Sequence, residues 1–282
     1  MLVKIVAVQA TLGEKLSLEE KMHILRQRPD FVCLPEYFLI DRATTDFRRA
    51  GLSFQESVDY LTKLSEELSV CLVAGTVVEP DEDRLYNTCF VINNGTIVGS
   101  YRKRHPVPGE LANGISAGDK AVILDVEDTR IALLICGDVF SPELYSELAS
   151  EEVDIVFVPT TSPYRPDDSL SQKRLRDKQY FVDGARNSLS YVVKTCGVGT
   201  IFGRPLQGRS LVAAPWGVLN QVSQPEEQHE RLLTTTLDIA EIRDFKRKFR
   251  QSQNQSSQVG RIHFSSTSSP SDPERFNCPL TV

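Results

Sequence analysis

Short apolar runs recur along this chain and constrain its fold more than any other feature. Each is bounded by polar residues, glycine or proline, and its length suits a strand that is buried on both faces. The clearest runs lie at residues 3–10, 30–34, 70–78, 129–135, 154–159 and 190–196. Amphipathic patterns between them predict helices at residues 16–26, 53–68, 142–152, 169–189 and 239–249.

Two predicted hairpins interrupt the alternation of strands and helices. Asn-Asn-Gly at residues 93–95 separates two strand-like arms, and a second turn lies at residues 127–128. A series of β-α-β units alone is therefore disfavoured, and we expect an α/β fold with mixed sheets and helices outside them. We also expect a polar loop at residues 44–51.

The composition changes near the end of the chain. From about residue 251 the sequence is rich in Ser, Gln, Thr and Pro and has no periodicity. We therefore expect one catalytic domain at residues 1–250, followed by a tail at residues 251–282. This tail is predicted to be flexible or to wrap a neighbouring subunit.

Charge and cysteine spacing exclude several classes of function. A net charge of −6 and a pI of about 5.4 argue against binding to nucleic acid or to an anionic membrane, because both need a cationic surface. No run approaches the ~20 apolar residues of a membrane span. The six cysteines form no C-x-x-C pair, so a zinc site is poorly supported. We expect a protein of the reducing cytoplasm.

Three residues of complementary chemistry stand at or just beyond the ends of apolar runs. Cys136 follows the run that ends at residue 135, Glu36 follows Pro35, and Lys103 follows a hairpin arm. Each has an ordinary interpretation, as a packing thiol, a surface or capping carboxylate and one cation of a solvated run. Strand ends at one edge of a sheet can nevertheless converge, although they lie far apart in sequence.

Such a trio would suit nucleophilic catalysis. A carboxylate can take the thiol proton, and the resulting thiolate is the competent nucleophile. A lysine lowers the cost of negative charge on sulfur and on an oxyanion, and the Gly137 amide can supply a second oxyanion donor. A Ser–His–Asp triad is unsupported, because the chain lacks G-x-S-x-G and contains only four histidines.

The segments at residues 35–36, 101–105 and 134–138 resemble the three signature segments of the nitrilase superfamily of carbon–nitrogen hydrolases. They occur in the family's order, and the resemblance covers about residues 3 to 249. Weaker matches are Gln9 and the segments at residues 185–187 and 202–217.

The resemblance implies a four-layer α-β-β-α sandwich that assembles as a homodimer or a larger homo-oligomer. It implies catalysis by Glu36, Lys103 and Cys136 without a metal or an organic cofactor. Family members carry a second glutamate between the lysine and the cysteine, and Glu110 is its best match here. His105 is expected to make a structural hydrogen bond.

The residues after the nucleophile bear on the substrate. Gly137-Asp138 stands where many true nitrilases have Trp-Glu, which favours an amide over a nitrile. The predicted function is hydrolysis of a small amide or N-carbamoyl compound through a thioester on Cys136. The alternatives are a nitrilase or an amine acyltransferase of the same fold, and a non-catalytic binding or assembly subunit. Loops at residues 106–118 and 160–168 are expected to shape the substrate pocket.

Overall fold

The computed structural model describes the backbone of residues 1–260 and the side chains of residues 1–253. Fourteen of the strands in this part of the chain form one continuous, curled sheet, and β12 and β13 form a separate ribbon. The strands are β1 Leu2–Thr11, β2 Phe31–Cys33, β3 Cys71–Val73, β4 Val77–Asp81, β5 Arg84–Asn93, β6 Thr96–Arg102, β7 Ile115–Ser116, β8 Ile123–Val126, β9 Thr129–Leu133, β10 Ile155–Thr160, β11 Tyr191–Val198, β12 Thr200–Ile201, β13 Arg204–Pro205, β14 Leu211–Ala214, β15 Gly217–Gln221 and β16 Arg231–Asp238.

Strand β1 joins two halves of the curled sheet. Along residues 2–9 it pairs antiparallel with β16, and its other edge pairs parallel with β2. Its last residues, Ala10 and Thr11, pair parallel with β11 of the second half. The halves pack face to face, with the rings of Phe31 and Phe157 5.5 Å apart. The mixed sheet predicted from the sequence is confirmed.

Helices cover both outer faces and complete the four layers. On the first half, Ile24, Leu61 and Leu64 share a core with Val6 and Leu72 of the strands. On the second half, α5 packs against α7, which contacts β11 and β14. The helices are α1 Leu18–Gln27, α2 Phe47–Leu52, α3 Phe54–Leu68, α4 Pro108–Ala112, α5 Pro142–Ser150, α6 Leu170–Asp177, α7 Asp183–Ser188 and α8 Ile239–Gly260.

One local prediction was wrong, and one predicted helix forms with an irregular turn inside it. Residues 44–51 were expected to be loop, yet α2 begins at Phe47 because Asp46 caps it by accepting a hydrogen bond from the Arg49 amide. The helix expected at residues 169–189 is divided by a π-helical turn at Lys178–Val182. Such turns are rare and often lie at functional sites.

The chain divides by its contacts into Met1–Arg243, which contains the sandwich, and Asp244–Val282. Helix α8 continues to Gly260, so the first ten residues of the predicted tail are helical. The rest of that tail, residues 261–282, lies outside the described residues. No helix in the described part of the chain is long and apolar enough to cross a membrane.

Candidate active site

The ends of three strands deliver the predicted trio to one cavity of about 520 Å³. Glu36 lies three residues beyond β2, Lys103 directly follows β6, and Cys136 lies three residues beyond β9. Glu110, on the short helix α4, lines the same cavity. The loops expected to shape the pocket, at residues 106–118 and 160–168, both contribute to its lining.

Lys103 is buried between two carboxylates. Its side chain is 1% exposed, and its Nζ lies 2.8 Å from Glu36 Oε1 and 2.7 Å from Glu110 Oε2. Burial alone would lower the pKa of this ammonium group, but the Glu36 charge and then the Cys136 and Glu110 charges raise it above its usual value. Lys103 therefore stays protonated at neutral pH.

Glu36 is held at both carboxylate oxygens. Oε1 accepts hydrogen bonds from Lys103 Nζ and, at 2.9 Å, from Asn87 Nδ2. Oε2 accepts hydrogen bonds from the Thr161 amide, at 2.9 Å, and from the Thr161 hydroxyl. The side chain is 1% exposed, so these four contacts fix the orientation of a carboxylate that bulk water does not reach.

Glu110 accepts as many hydrogen bonds as Glu36. Oε1 accepts from Tyr37 Oη and Asn87 Nδ2, and Oε2 accepts from the Val107 amide and Lys103 Nζ. Burial opposes ionisation of Glu110, but the Lys103 charge and these hydrogen bonds lower the pKa of the carboxyl below its usual value. Its oxygens are occupied by protein donors, which suits a residue that positions Lys103.

Cys136 opens a 3₁₀ turn, Cys136–Phe140, in an uncommon backbone conformation. Its φ is +39°, a region that residues other than glycine rarely adopt. The thiol Sγ lies 3.3 Å from the Thr161 carbonyl oxygen, which accepts its hydrogen. Burial and then the Glu36 charge raise the pKa of this thiol, and Lys103 opposes them. Together these effects favour the neutral thiol over the thiolate.

A glycine is required at position 137 by close packing. A Cβ there would lie 2.6 Å from Val107 Cγ1 and 3.0 Å from the His105 carbonyl oxygen, and both contacts are too short. The absence of a side chain thus lets the segment after Lys103 lie directly against the nucleophile turn. Gly137 lies beside Val107 and Lys103, which line the cavity, and its role as an oxyanion donor stays a prediction.

Asp138 ties the nucleophile turn to the lysine segment. This fully buried carboxylate accepts hydrogen bonds from the Tyr101 hydroxyl at 2.9 Å, the His105 amide at 2.7 Å and the Ile135 amide at 2.8 Å. Burial raises its pKa, against the lowering effect of those donors. The His105 ring contacts Ser141 Oγ, so His105 makes local hydrogen bonds on this side of the turn.

Sequence reasoning missed several residues of this site. Asn87 bridges the two glutamates, Tyr37 contacts Glu110, and Thr161 contacts both Glu36 and Cys136. Asn87 is fully buried within β5, and Thr161 directly follows the apolar strand β10. A polar residue inside or just after an apolar run was the available signal in both cases.

The donor set gives no indication of a metal. Among the described residues, no group of three or more His, Cys, Asp or Glu side chains is placed to hold a metal ion. The two glutamates of the site instead have Lys103 as their cationic partner.

Known proteins that are similar to this chain identify its family. The model of the carbon–nitrogen hydrolase family matches residues 7–247. This chain belongs to the carbon–nitrogen hydrolase family. The human omega-amidase NIT2 is 30% identical to it over 220 residues, which cover 71% of this chain and 74% of that protein.

Two solved structures share the fold. A carbon–nitrogen hydrolase from Helicobacter pylori superimposes with a TM-score of 0.75 at 19% identity, over 88% of this chain and 93% of that chain. A mutant amidase from a Nesterenkonia species superimposes with a TM-score of 0.70 at 18% identity, over 89% of this chain and 97% of that chain. That structure shows the acetamide moiety of fluoroacetamide added covalently to its active-site cysteine.

The family and its relatives confirm the predicted fold and class of enzyme. The chain is a carbon–nitrogen hydrolase of the amidase type, with the four-layer sandwich of the nitrilase superfamily.

Proposed function

We propose that this protein hydrolyses a small amide through a thioester on Cys136. The observation that carries the proposal is the buried arrangement of Glu36, Lys103 and Glu110 in the cavity that Cys136 lines. In this arrangement Glu36 is the general base, Lys103 and the Gly137 amide bind the oxyanion, and Glu110 positions Lys103.

Acylation begins when Glu36 takes the thiol proton and Cys136 Sγ attacks the amide carbon. The carbonyl electron pair moves to oxygen, where Lys103 and the Gly137 amide stabilise the negative charge. When the carbon–oxygen double bond re-forms, the carbon–nitrogen bond breaks. Glu36 then gives its proton to the departing nitrogen, so ammonia leaves and the acyl group stays on sulfur.

Deacylation repeats these proton movements with water. Glu36 takes a proton from water, the resulting hydroxide attacks the thioester carbon, and the same oxyanion donors stabilise the second tetrahedral intermediate. The carbon–sulfur bond breaks, the thiolate recovers the proton from Glu36, and a carboxylic acid leaves. The Cys136 charge raises the pKa of Lys103, and the Lys103 charge lowers the pKa of Cys136, so ionisation of the thiol is favoured while the lysine is protonated.

The relatives support an amide over a nitrile as the substrate. The human relative is named an omega-amidase, and the Nesterenkonia structure is that of an amidase. Gly137-Asp138 after the nucleophile agrees with this choice. Transfer of the acyl group to an amine would use the same thioester, so the final acceptor is decided by the experiment below.

We also propose that the enzyme acts in the cytoplasm as a homodimer or larger homo-oligomer. Exposed apolar side chains at Phe140, Leu175 and Trp216 lie on elements around the second half of the sheet, and burial of such residues favours association. We further propose that the catalytic domain ends at residue 250 and that the tail follows it. Light scattering of the full chain and of a chain ending at residue 250 tests both the assembly and the role of the tail.

Mass spectrometry after incubation with a panel of small amides tests the proposed chemistry. We expect an acyl adduct on Cys136 in acid-quenched samples, with one ammonia and one carboxylic acid released per turnover. The adduct should be absent in Cys136→Ala and present in the matched control Cys71→Ala. Release of ammonia and carboxylic acid in buffer without an added amine supports hydrolysis over obligate transfer, whereas the absence of both adduct and ammonia contradicts the proposal.

A further inference from the structure

The cavity that holds the catalytic residues is also lined by a second group of charged side chains. We call this group the cationic wall, and it consists of Arg165, Asp177, Lys194, Arg204 and Arg209. None of these residues takes part in the steps above. Four cations with one carboxylate inside a substrate cavity need an explanation, because charges that are removed from water are costly unless they are paired.

The inner part of the cationic wall contains two cations that share one carboxylate. Lys194 is 1% exposed, and its Nζ lies 2.9 Å from Asp177 Oδ1 and 4.7 Å from the centre of the Phe181 ring. Arg209 Nη1 lies 3.2 Å from Asp177 Oδ2 and also donates to the Lys173 carbonyl. Asp177 can neutralise only one of these two cations.

The guanidinium group of Arg209 is incompletely satisfied by the protein. Its side chain is 11% exposed, and its buried Nε–H has no hydrogen-bond partner among the described residues. A buried donor without an acceptor costs about 1–3 kcal/mol, so the fold holds this arginine in the cavity wall at a cost. A guanidinium group is well suited to binding carboxylate and phosphate oxygens.

The fold fixes this inner part in place. Asp177 is the last residue of α6, and the π-helical turn that follows it carries Phe181 beside Lys194. Arg209 follows Gly208, where a Cβ would lie 2.3 Å from the Gln9 side chain, so the backbone before Arg209 packs tightly on β1. The two cations are therefore built into the fold.

The outer part of the cationic wall consists of Arg165 and Arg204. Both are exposed, and neither makes an ion pair with another described residue. Their segments are joined by the hydrogen bond from the Tyr164 amide to the Pro205 carbonyl at 2.9 Å. The two arginines thus stand on connected loops that line the same cavity.

The remaining charged residues of the lining do not cancel the positive charge. Outside the cationic wall and the catalytic residues, the cavity is lined by Arg176, which is paired with Asp168, and by Asp46. When these residues are included, the non-catalytic lining still has an excess of two positive charges. The catalytic group, with Glu36 and Glu110 around Lys103, has an excess of negative charge.

We propose that the amide substrate carries a dianionic end, formed by two carboxylates or by one phosphonate or phosphate group, which binds the cationic wall. Lys194 and Arg209 bind this end directly, while Arg165 and Arg204 attract it at the cavity mouth. This inference rests on the proposed amide hydrolysis and adds the class of substrate.

Kinetics with a charge series tests the proposal on the full-length protein. The substrates are butyramide, succinamate, the terminal monoamide of propane-1,2,3-tricarboxylate, and 3-phosphonopropanamide, which carry none, one, two and two negative charges. We expect kcat/KM to rise at least about tenfold from butyramide to the dianions, mainly through KM. The two dianions distinguish a pair of carboxylates from a phosphorus oxyanion.

Variants connect the preference to the residues. Arg209→Gln should lower the ratio of kcat/KM for the preferred dianion to that for butyramide about tenfold. The double variant Arg165→Gln/Arg204→Gln changes two exposed positions. It should lower this ratio of kcat/KM values less than Arg209→Gln does, and the ratio should then depend less on salt concentration. Arg174→Gln removes an exposed charge from the same helix as Asp177 and is the matched control, which should leave the ratio unchanged.

Binding separates failure of this inference from failure of the proposed function. Calorimetry with propane-1,2,3-tricarboxylate and with 3-phosphonopropanoate requires no turnover. If the wild type binds either anion and Arg209→Gln binds it about tenfold more weakly, the anion site is supported even if no amide is hydrolysed. The inference is overturned if kcat/KM for butyramide equals or exceeds that for the dianionic amides. It is also overturned if Arg209→Gln and the double variant both keep the preference for a dianion.

Discussion

Lys103 and Lys194 are both fully buried lysines that line the same cavity, and their surroundings are opposite. Lys103 has two carboxylates, Glu36 and Glu110, within 2.8 Å. Among the described residues, Lys194 pairs with one carboxylate, Asp177, and shares it with a second cation, Arg209. One lysine therefore belongs to a group with excess negative charge, and the other to a group with excess positive charge.

This difference agrees with the two roles that we propose, in which the residues around Lys103 carry out the reaction and those around Lys194 bind the substrate. Around Lys103, the neighbouring negative charges raise the pKa of the lysine, and burial together with the Glu36 charge raises the pKa of the Cys136 thiol. Around Lys194, Asp177 balances only one of two positive charges. A negatively charged ligand can balance the other, and an anionic amide is the class of substrate that we propose. Because opposite charges within one cavity also orient a ligand, an amide with an anionic end has a preferred direction of binding.

The largest expected effect comes from removing the cation of the catalytic group. Lys103→Met leaves two carboxylates beside the thiol and removes an oxyanion donor, so kcat for amide hydrolysis should fall about 10³-fold. Steady-state kinetics with butyramide measures this, and Arg104→Gln, which breaks only a surface ion pair with Glu147, should retain activity. Comparable rates in Lys103→Met and the wild type would contradict the proposed role.

Removing one of the two carboxylates should destabilise the fold in a pH-dependent way. Glu110→Gln should lower the free energy of unfolding by about 2 kcal/mol at pH 7, because a buried charge-assisted contact with Lys103 is lost. The pKa of Glu110 is lowered in the folded protein. Its contribution is thus fully present above its unfolded pKa and is lost as the pH falls through the folded pKa.

Urea denaturation at a series of pH values measures this dependence. The difference between the wild type and Glu110→Gln should be constant from pH 8 to 5 and should shrink below about pH 4.5. A difference that stays the same down to pH 3.5 would show that the Glu110 charge is not the cause.

A smaller effect is expected at Thr161, which contacts both reacting groups. Its amide and hydroxyl donate to Glu36 Oε2, and its carbonyl accepts from the Cys136 thiol. Thr161→Val removes only the hydroxyl contact, so kcat should fall about tenfold with little change in KM. Thr161→Ser keeps the hydroxyl and should restore the rate, and failure of that rescue would favour a purely steric role.

The smallest expected effect concerns the thiol itself. The Glu36 charge is, after burial, the main cause of the raised pKa of Cys136. Glu36→Gln removes that charge, so the pH midpoint for alkylation of Cys136 by iodoacetamide should fall by about one unit, even though hydrolysis is lost. Peptide mass spectrometry follows the reaction, with Glu147→Gln as control, and an unchanged or higher midpoint would refute this electrostatic account.

Local patterns in the sequence predicted much of the secondary structure. The hairpin at residues 93–95 forms as expected, with Asn94 and Gly95 both at positive φ. Ser17 caps α1, within the helix predicted at residues 16–26, through a reciprocal pair of hydrogen bonds with Glu20. Helix α2 was missed because its six residues are too few to show a clear period.

The sequence likewise pointed to some residues of the candidate site and not to others. Glu36, Lys103, Cys136, Gly137 and Glu110 were found because strand ends and a family resemblance pointed to them. Other site residues gave weaker signals, since a lone polar residue in an apolar run has many explanations. These were Tyr37, Asn87, Thr161, Asp177, Lys194 and Arg209.

The sequence alone predicted most of the strands and helices of this protein, its membership of a hydrolase family and a trio of candidate catalytic residues. Those predictions rest on local periodicity and on short motifs. Only the tertiary structure decided how many carboxylates surround each buried lysine, because the partners of Lys103 and Lys194 come from separate segments. The free energy of a buried charge depends on those distances and on exclusion of water, which exist only after the sheet has curled and the helices have packed on it.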